Sequence, residues 1–235
     1  PLHIDTLARL QAETEAAFHL SFFLVELIGR DETGDISPAD ADLLRLLTSI
    51  AKLTTGRQAV EVASEVLEAH GGAGYVEDTG LPLLLRDSQV LPIWEGTTNV
   101  LALDALRALA HGDAGLQTLH HRVSAITATT RDAALIGAAR QAEAALDHAL
   151  SWVRDAAVAN RTALEAGARR FGLTLGRALA LALLVEAAEW SLTHEHDGRA
   201  RAAALRFART PIDHIAVADP RLDAALANDE PLPLA

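Results

Sequence analysis

Apolar and polar residues alternate along this chain with the period of a helix almost throughout. Leu7, Leu10, Thr14, Ala17, Leu24, Val25 and Ile28 fall on one face from about residue 3 to 29. The polar turn GRDETGD (29–35) follows. SPADAD (37–42) then reads as a helix start, with Ser37 as the cap, Pro38 in the first position and acids in the first turn. The next helix carries Leu43, Leu47, Ile50, Leu53, Val62 and Val66, and the glycines of HGGAGY (70–75) end it. Residues 71–98 are less regular. They hold Pro82, Pro92 and five glycines around a short helical stretch, PLLLRDSQVL (82–91). From Asn99 the helical period resumes through Leu109, with Leu101 and Ala105 in register.

HGDAG (111–115) is the strongest internal boundary. Beyond it the pattern predicts a helix of about 16 residues, then a long helix near 131–166 with Leu135, Ala139, Ala142, Leu146, Leu150, Val153 and Ala157 on one stripe. GARRFG (167–172) breaks it, and two more helices follow over about 173–195 and 198–209. The tail NDEPLPLA (228–235) reads as frayed. No strand signal of useful length is present. The expected fold is therefore all-α: an antiparallel helical bundle over 1–111, then a second helical extension over 112–235.

Composition changes this picture little, and charge changes it more. Half the residues are apolar and 22% are charged, enough for a sizeable core. The net charge of −12 is uneven: residues 1–110 carry 7 basic and 17 acidic side chains, residues 111–235 carry 13 and 15. The first half is a poor partner for nucleic acid, and the second is at best neutral. The absence of cysteine excludes disulfides, thiolate nucleophiles and cysteine-ligated metals. The run ALALALLVEAA (178–188) is about half the length of a membrane span and contains Glu186, so it reads as a buried core helix and no membrane partner is expected. No leader pattern opens the chain, and a cytoplasmic location is expected. The chain starts at Pro1 and has no methionine, so a fragment or processed form of something longer is expected. Arginine outnumbers lysine 19 to 1, which reads as a genomic habit.

The stretch LPIWEGTTNV (91–100) places Glu95 between Trp94 and Gly96, where a charge is expensive to hold. It supports two readings. Desolvation beside the indole would raise the carboxyl pKa and make a usable base, with Gly96 giving clearance and the threonines and a helix N-terminus offering donors to phosphate or ribose. Alternatively, Glu95 caps or salt-bridges an interhelix turn. The glycines of HGGAGYVED (70–78) form either a backbone platform for a nucleotide or a plain helix cap. Arg86 and Asp87 read as a partly buried ion pair that fixes the loop. His120–His121 and His194–His196 offer no third ligand at a telling distance, and no metal is expected. Arg154, Arg161, Arg169, Arg170 and Arg177 form either a basic stripe or, with Gly167 and Gly172 breaking the helix, a solvated face.

Taken together, GGAGYVEDTGLPLLLRDSQVLPIWEGTTNV (71–100) resembles the acyl-CoA dehydrogenase signature: a Gly-Gly-x-Gly-aromatic turn, an Arg-Asp pair, then aromatic-Glu-Gly-Thr. The likeness runs from about Leu2 to about Ala110. IWEGTTNVLALDALRAL (93–109) and the helices beyond it look most like the branch containing the alkylation-response flavoprotein AidB.

The resemblance implies the C-terminal helical domain of an FAD-dependent enzyme that makes 2,3-enoyl-CoA from an acyl-CoA. Glu95 maps to the base that removes the α-proton while the β-hydrogen leaves as hydride to the flavin. The Glu95 backbone N–H, with a flavin ribityl hydroxyl, would polarise the thioester carbonyl. Thr97 and Asn99 fall where the family contacts FAD adenosine, and Gly71 and Gly72 where a neighbouring subunit's FAD is approached. Trp94 and Gly96 would line the substrate pocket. Glu68 stands where the family often has Gln, and Ala102 where many members have Arg. The family's N-terminal helical and middle β-domains, and the Arg-x-x-Phe-Gly segment before this region, are absent. The resemblance thus implies partners in those domains and in a homodimer or homotetramer, with little or no FAD binding and no turnover by the chain alone. Two alternatives stay open. One is a DNA-associated flavoprotein whose 111–235 extension meets DNA, which the charge does not favour. The other is an oligomerisation module.

Overall fold

The computed structural model describes residues 1–110 and 112–232, and every regular element among them is a helix. The boundary residue His111 lies outside the described residues, as do 233–235, the end of the tail read as frayed. Helix α1 (Leu2–Thr33) and α2 (Pro38–Ala69) form the first pair. The turn between them follows the sequence signals. Gly34 takes a left-handed φ of 74°, and Ser37 Oγ accepts from the Asp40 N–H at 3.1 Å, with Pro38 opening α2. After two short 3-10 turns, Gly71–Gly74 and Glu77–Thr79, come α3 (Leu81–Ser88), α4 (Thr98–Leu109) and α5 (Ala114–Thr129). The chain continues through α6 (Leu135–Ala159), α7 (Arg161–His194), α8 (Arg199–Phe207) and α9 (Pro220–Ala227).

The long helical pattern breaks at a different residue from the one the sequence suggests. GARRFG lies inside α7, and the break falls at Asn160, whose side chain accepts from the Ala163 N–H at 2.8 Å and caps α7. The glycines are there for packing. A Cβ on Gly167 would lie 2.0 Å from Trp152 Cζ2, and one on Gly176 would lie 2.0 Å from Thr54 Oγ1. Each lets another helix approach α7 more closely than alanine would. Trp152 lies seven to eight residues before the break and Gly167 as far after it, so α6 and α7 fold back as an antiparallel pair. Helix α9 was not anticipated, although Asp219 caps it and Pro220 opens it.

Helix α7 is the centre of the molecule. Residues 174–185 are buried without interruption, and the helix packs against α1, α2, α4, α5, α6 and α8. The apolar run 178–188 is thus a core segment, and Glu186 at its edge reaches Arg122 with contacts of 2.9 and 2.6 Å. One apolar cluster joins Leu20 and Leu47 from before residue 111 to Leu119, Leu146, Leu179 and Phe207 after it.

Arg177 does not belong to a solvated basic face. It is 8% exposed, donates to both Glu13 oxygens at 2.8 and 3.1 Å, and also reaches Pro211 O and Thr210 Oγ1 at 2.7 and 2.6 Å. Its guanidinium lies over the Phe207 ring. Gln58 Nε2 donates to the same carboxylate at 2.8 Å, so α1, α2 and α7 meet at one buried charge pair. Arg161 pairs with Glu165 at 2.6 Å.

Candidate active-site turn

The segment between α3 and α4 is where the sequence places most of its chemistry. It leaves α3 through overlapping turns, with the N–H groups of Ile93 and Trp94 donating to Val90 O at 3.0 and 2.9 Å. Glu95 then takes a left-handed φ of 51°, a conformation that costs a non-glycine residue about 1–2 kcal/mol. Gly96 follows at φ 115°, where a Cβ would also come within 3.0 Å of Leu101. Thr97 is the N-cap of α4, and its side chain makes no capping bond. Among the described residues the N–H groups of Glu95, Gly96 and Thr97 have no backbone acceptor. The first-turn N–H groups of α4 lack intrahelical partners as well, as in any helix. The result is a run of free donors with an exposed carboxylate at its head.

Two contacts from α2 set this turn in place. The first is Lys52, the single lysine of the chain. Its Nζ donates to the carbonyl oxygens of Leu91, Trp94 and Gly96 at 3.3, 2.6 and 3.1 Å. One turn further along α2, Gly56 lets the chain at Leu91–Pro92 come within 3.4 Å of where a Cβ would stand. The second is a latch on α4. Asp104 receives Arg45 at 2.9 and 3.0 Å and Ser49 Oγ at 2.5 Å. Those bonds, from Arg45 first and then Ser49, hold the Asp104 carboxyl below its ordinary pKa. Sequence reading missed Lys52. The only signal for it was its rarity among 20 basic residues, and that does not say what it faces.

Several expectations change. Glu95 is exposed and Trp94 is 53% exposed, so the desolvation argued from the sequence is not supplied by this chain's own residues. Arg86 and Asp87 do not pair and are not buried. Adjacent residues on a helix point in different directions, and Arg86 instead meets Glu77 at 3.2 Å with both side chains well exposed. Gly71 and Gly72 form an open turn at the far end of α2, with nothing within 4 Å of either Cβ position. Seventeen residues of α2 follow Lys52 up to the helix end at Ala69, roughly 25 Å of helix, and Gly71 lies beyond that end, so the structure does not bring this turn together with Glu95. The neighbouring Gly74 is the one that packing requires, since a Cβ there would lie 2.0 Å from Leu67 O. Trp94, Glu95, Gly96, Thr97 and Asn99 do lie together, on a surface bordered by exposed Val90, Ile93 and Val100. Among the described residues no group of three or more His, Asp or Glu side chains is placed to hold a metal ion.

Two family models match the chain. Residues 1–110 match the family model for the acyl-CoA dehydrogenase C-terminal domain, and residues 115–225 match one described as acyl-CoA dehydrogenase 11 C-terminal domain-like. The chain is 40% identical over 203 residues to acyl-CoA dehydrogenase family member 11 of Caenorhabditis elegans, covering 84% of this chain and 33% of that protein. It is 35% identical over 109 residues to the putative acyl-CoA dehydrogenase AidB of Escherichia coli, covering 46% of this chain and 19% of that one. The crystal structure of C. elegans ACDH-11 in complex with C11-CoA superimposes with a TM-score of 0.89 at 35% identity, over 97% of this chain and 40% of that chain. The chain thus spans a third to two fifths of these two C. elegans matches.

Proposed function

The chain belongs to the acyl-CoA dehydrogenase family, and on that premise we propose that it is the C-terminal part of a larger FAD-dependent acyl-CoA dehydrogenase in which Glu95 is the base. The observation that supports this most is the turn itself. It presents one carboxylate in a strained conformation, beside free N–H donors and an exposed indole, with no ion pair to the carboxylate among the described residues. A capping or salt-bridging acid would show such a partner.

In this proposal Glu95 takes the α-proton of an acyl-CoA thioester. Its backbone N–H donates to the thioester oxygen as negative charge develops there. Trp94 forms an apolar wall, and Gly96 leaves room for the acyl chain to approach the backbone. FAD, when bound, would supply the hydride acceptor for the β-hydrogen, giving a 2,3-enoyl thioester. Thr97, Asn99 and the first turn of α4 fit the nucleotide end of such a cofactor, because they offer an uncapped hydroxyl and unpaired N–H groups to anionic or hydroxylic oxygen. Gly71 and Gly72 fit close approach by a second nucleotide from another subunit. The exposed surface around Glu95 offers no second wall for a flavin ring, so the parent protein's other domains must supply it, and the isolated chain does not turn over. The exposed face of α1, with Phe18, Phe22 and Val25, is assigned to contact with those domains or with identical subunits.

The test is Glu95→Gln in the full-length flavoprotein, with flavin reduction by acyl-CoA followed by absorbance. Loss of a general base predicts a fall of about 10²–10⁴-fold. Reduction at the unmodified rate would overturn the assignment.

A further inference from the structure

Among the described residues Lys52 is the one cation that reaches the Glu95 turn, and it does so in an uncommon way. A lysine ammonium has three donors on one atom and no acceptor. Here all three go to main-chain oxygens, of Leu91, Trp94 and Gly96, which bracket Glu95 on both sides. No carboxylate pairs with it among the described residues. An ammonium that serves only backbone carbonyls fixes the direction of peptide planes.

That direction has a consequence for the other end of each plane. A trans peptide is flat, with its C=O and N–H pointing in opposite directions, and the chain has no cis peptide among the described residues. The Trp94 carbonyl shares a peptide unit with the Glu95 N–H, and the Gly96 carbonyl shares one with the Thr97 N–H. Lys52 lies on the α2 side and takes both oxygens. The Glu95 and Thr97 N–H groups are therefore turned away from α2, which agrees with their having no backbone acceptor. Gly96 at φ 115° supplies the backbone twist that lets two such planes face the same way. The positive charge behind the two carbonyls also polarises both peptide dipoles, making the outward N–H groups better donors to an anionic oxygen.

We propose that Lys52 is a positioning residue for catalysis: it orients and polarises the Glu95 and Thr97 peptide units, so that the Glu95 N–H is aimed at the thioester oxygen while the side chain of the same residue takes the proton. The proposal takes Glu95 as the base, as above. Lys52 touches neither substrate nor cofactor, and acts through the main chain. Arginine cannot replace it fully, because a planar guanidinium spreads its donors over a fork, whereas these three oxygens converge on one point.

The test uses the full-length flavoprotein carrying Lys52→Met, which keeps a stem of similar length and removes the charge. Two readouts separate a role in positioning from a role in folding. The first is flavin reduction by acyl-CoA, expected to slow by about a hundredfold, the scale of an ångström-level misplacement at a reacting centre, with thermal midpoint and flavin content retained. The second uses an acyl-CoA analogue with sulfur at the β-position, which can lose its α-proton but has no β-hydride to give. The pH midpoint for forming its bound enolate, read by absorbance, is expected to rise by about one unit, because the enolate oxygen has lost an aligned donor. An unchanged pH midpoint would overturn the proposal.

If Lys52→Met fails to retain flavin, Lys52→Arg serves instead: a raised midpoint supports the positioning role and an unchanged one overturns it. Glu95→Gln run alongside keeps the two claims apart. An unmodified reduction rate in Glu95→Gln removes the base assignment. A Glu95→Gln variant without activity, together with an unchanged midpoint in Lys52→Met, removes only the role of Lys52.

Discussion

Glycines recur in two regions of this molecule and mean opposite things in each. In α7, Gly167, Gly172 and Gly176 have ordinary helical geometry and lie against Trp152, Leu53 and Thr54. A side chain at Gly167 or Gly176 would collide with a neighbouring helix, and one at Gly172 would press on Leu53. Between residues 71 and 96 the requirement is mostly one of backbone. Gly71, Gly80 and Gly96 have positive φ, and Gly71, Gly72 and Gly80 have open space where a side chain would go. The first region is sealed by its own chain. The second is finished on one side only, with Trp94, Ile93 and Tyr75 left at the surface. An apolar segment that a chain leaves open while burying another completely is a segment arranged for something outside the chain.

Stability measurements on the isolated chain can break this contrast. The largest effect should come from the sealed region. Arg177→Met leaves the Glu13 carboxylate buried without its partner, and urea unfolding should show a loss of about 3–5 kcal/mol. Next is the glycine comparison. Gly176→Ala puts a methyl into Thr54 and toward Ile50, and should cost about 1–3 kcal/mol by overpacking, whereas Gly72→Ala meets nothing and should change stability by well under about 1 kcal/mol. Equal losses for the two would end the distinction. The smallest effect is a pH dependence. Burial, followed by the nearby Arg177, lowers the His214 pKa from its ordinary 6.5, and burial likewise lowers that of His19. In the window below 6.5 the unfolded chain then binds more protons than the folded one. The stability these histidines contribute is complete above the unfolded value and declines as pH falls through 6.5 toward the lowered folded values. Unfolding midpoints measured across pH 5–8 should fall on the acid side, and His214→Gln should flatten that slope.

What the sequence made legible follows from the range of each interaction. The cap at Ser37, the start of α4 near Asn99 and the core helix carrying the run 178–188 depend on neighbours within a turn or two, and all three are where local pattern puts them. The break at GARRFG failed because the roles of its glycines depend on Trp152 and Leu53, which only the fold brings near. The Arg86–Asp87 pair failed for a local reason that could have been applied: successive helical residues do not face each other. Helix α9 was missed although its Asp219–Pro220 start has the same form as Ser37–Pro38. The site divides in the same way. Glu95, Gly96 and Thr97 are contiguous, so a linear reading groups them as one candidate. Lys52 lies some forty residues upstream and was invisible, because nothing in a linear pattern says which oxygens an ammonium will reach.

The Glu13–Arg177 pair also bears on how the protein is made. Its partners stand 164 residues apart. At a synthesis rate of roughly 5–20 residues per second, Glu13 is made about 8–33 s before Arg177. Through that interval Glu13 has no counter-charge, and Leu20 and Leu27 have no α7 to lie against. The α1–α2 hairpin is therefore made before its buried partner, and the Glu13–Arg177–Pro211 cluster can close only once the chain has grown past Pro211.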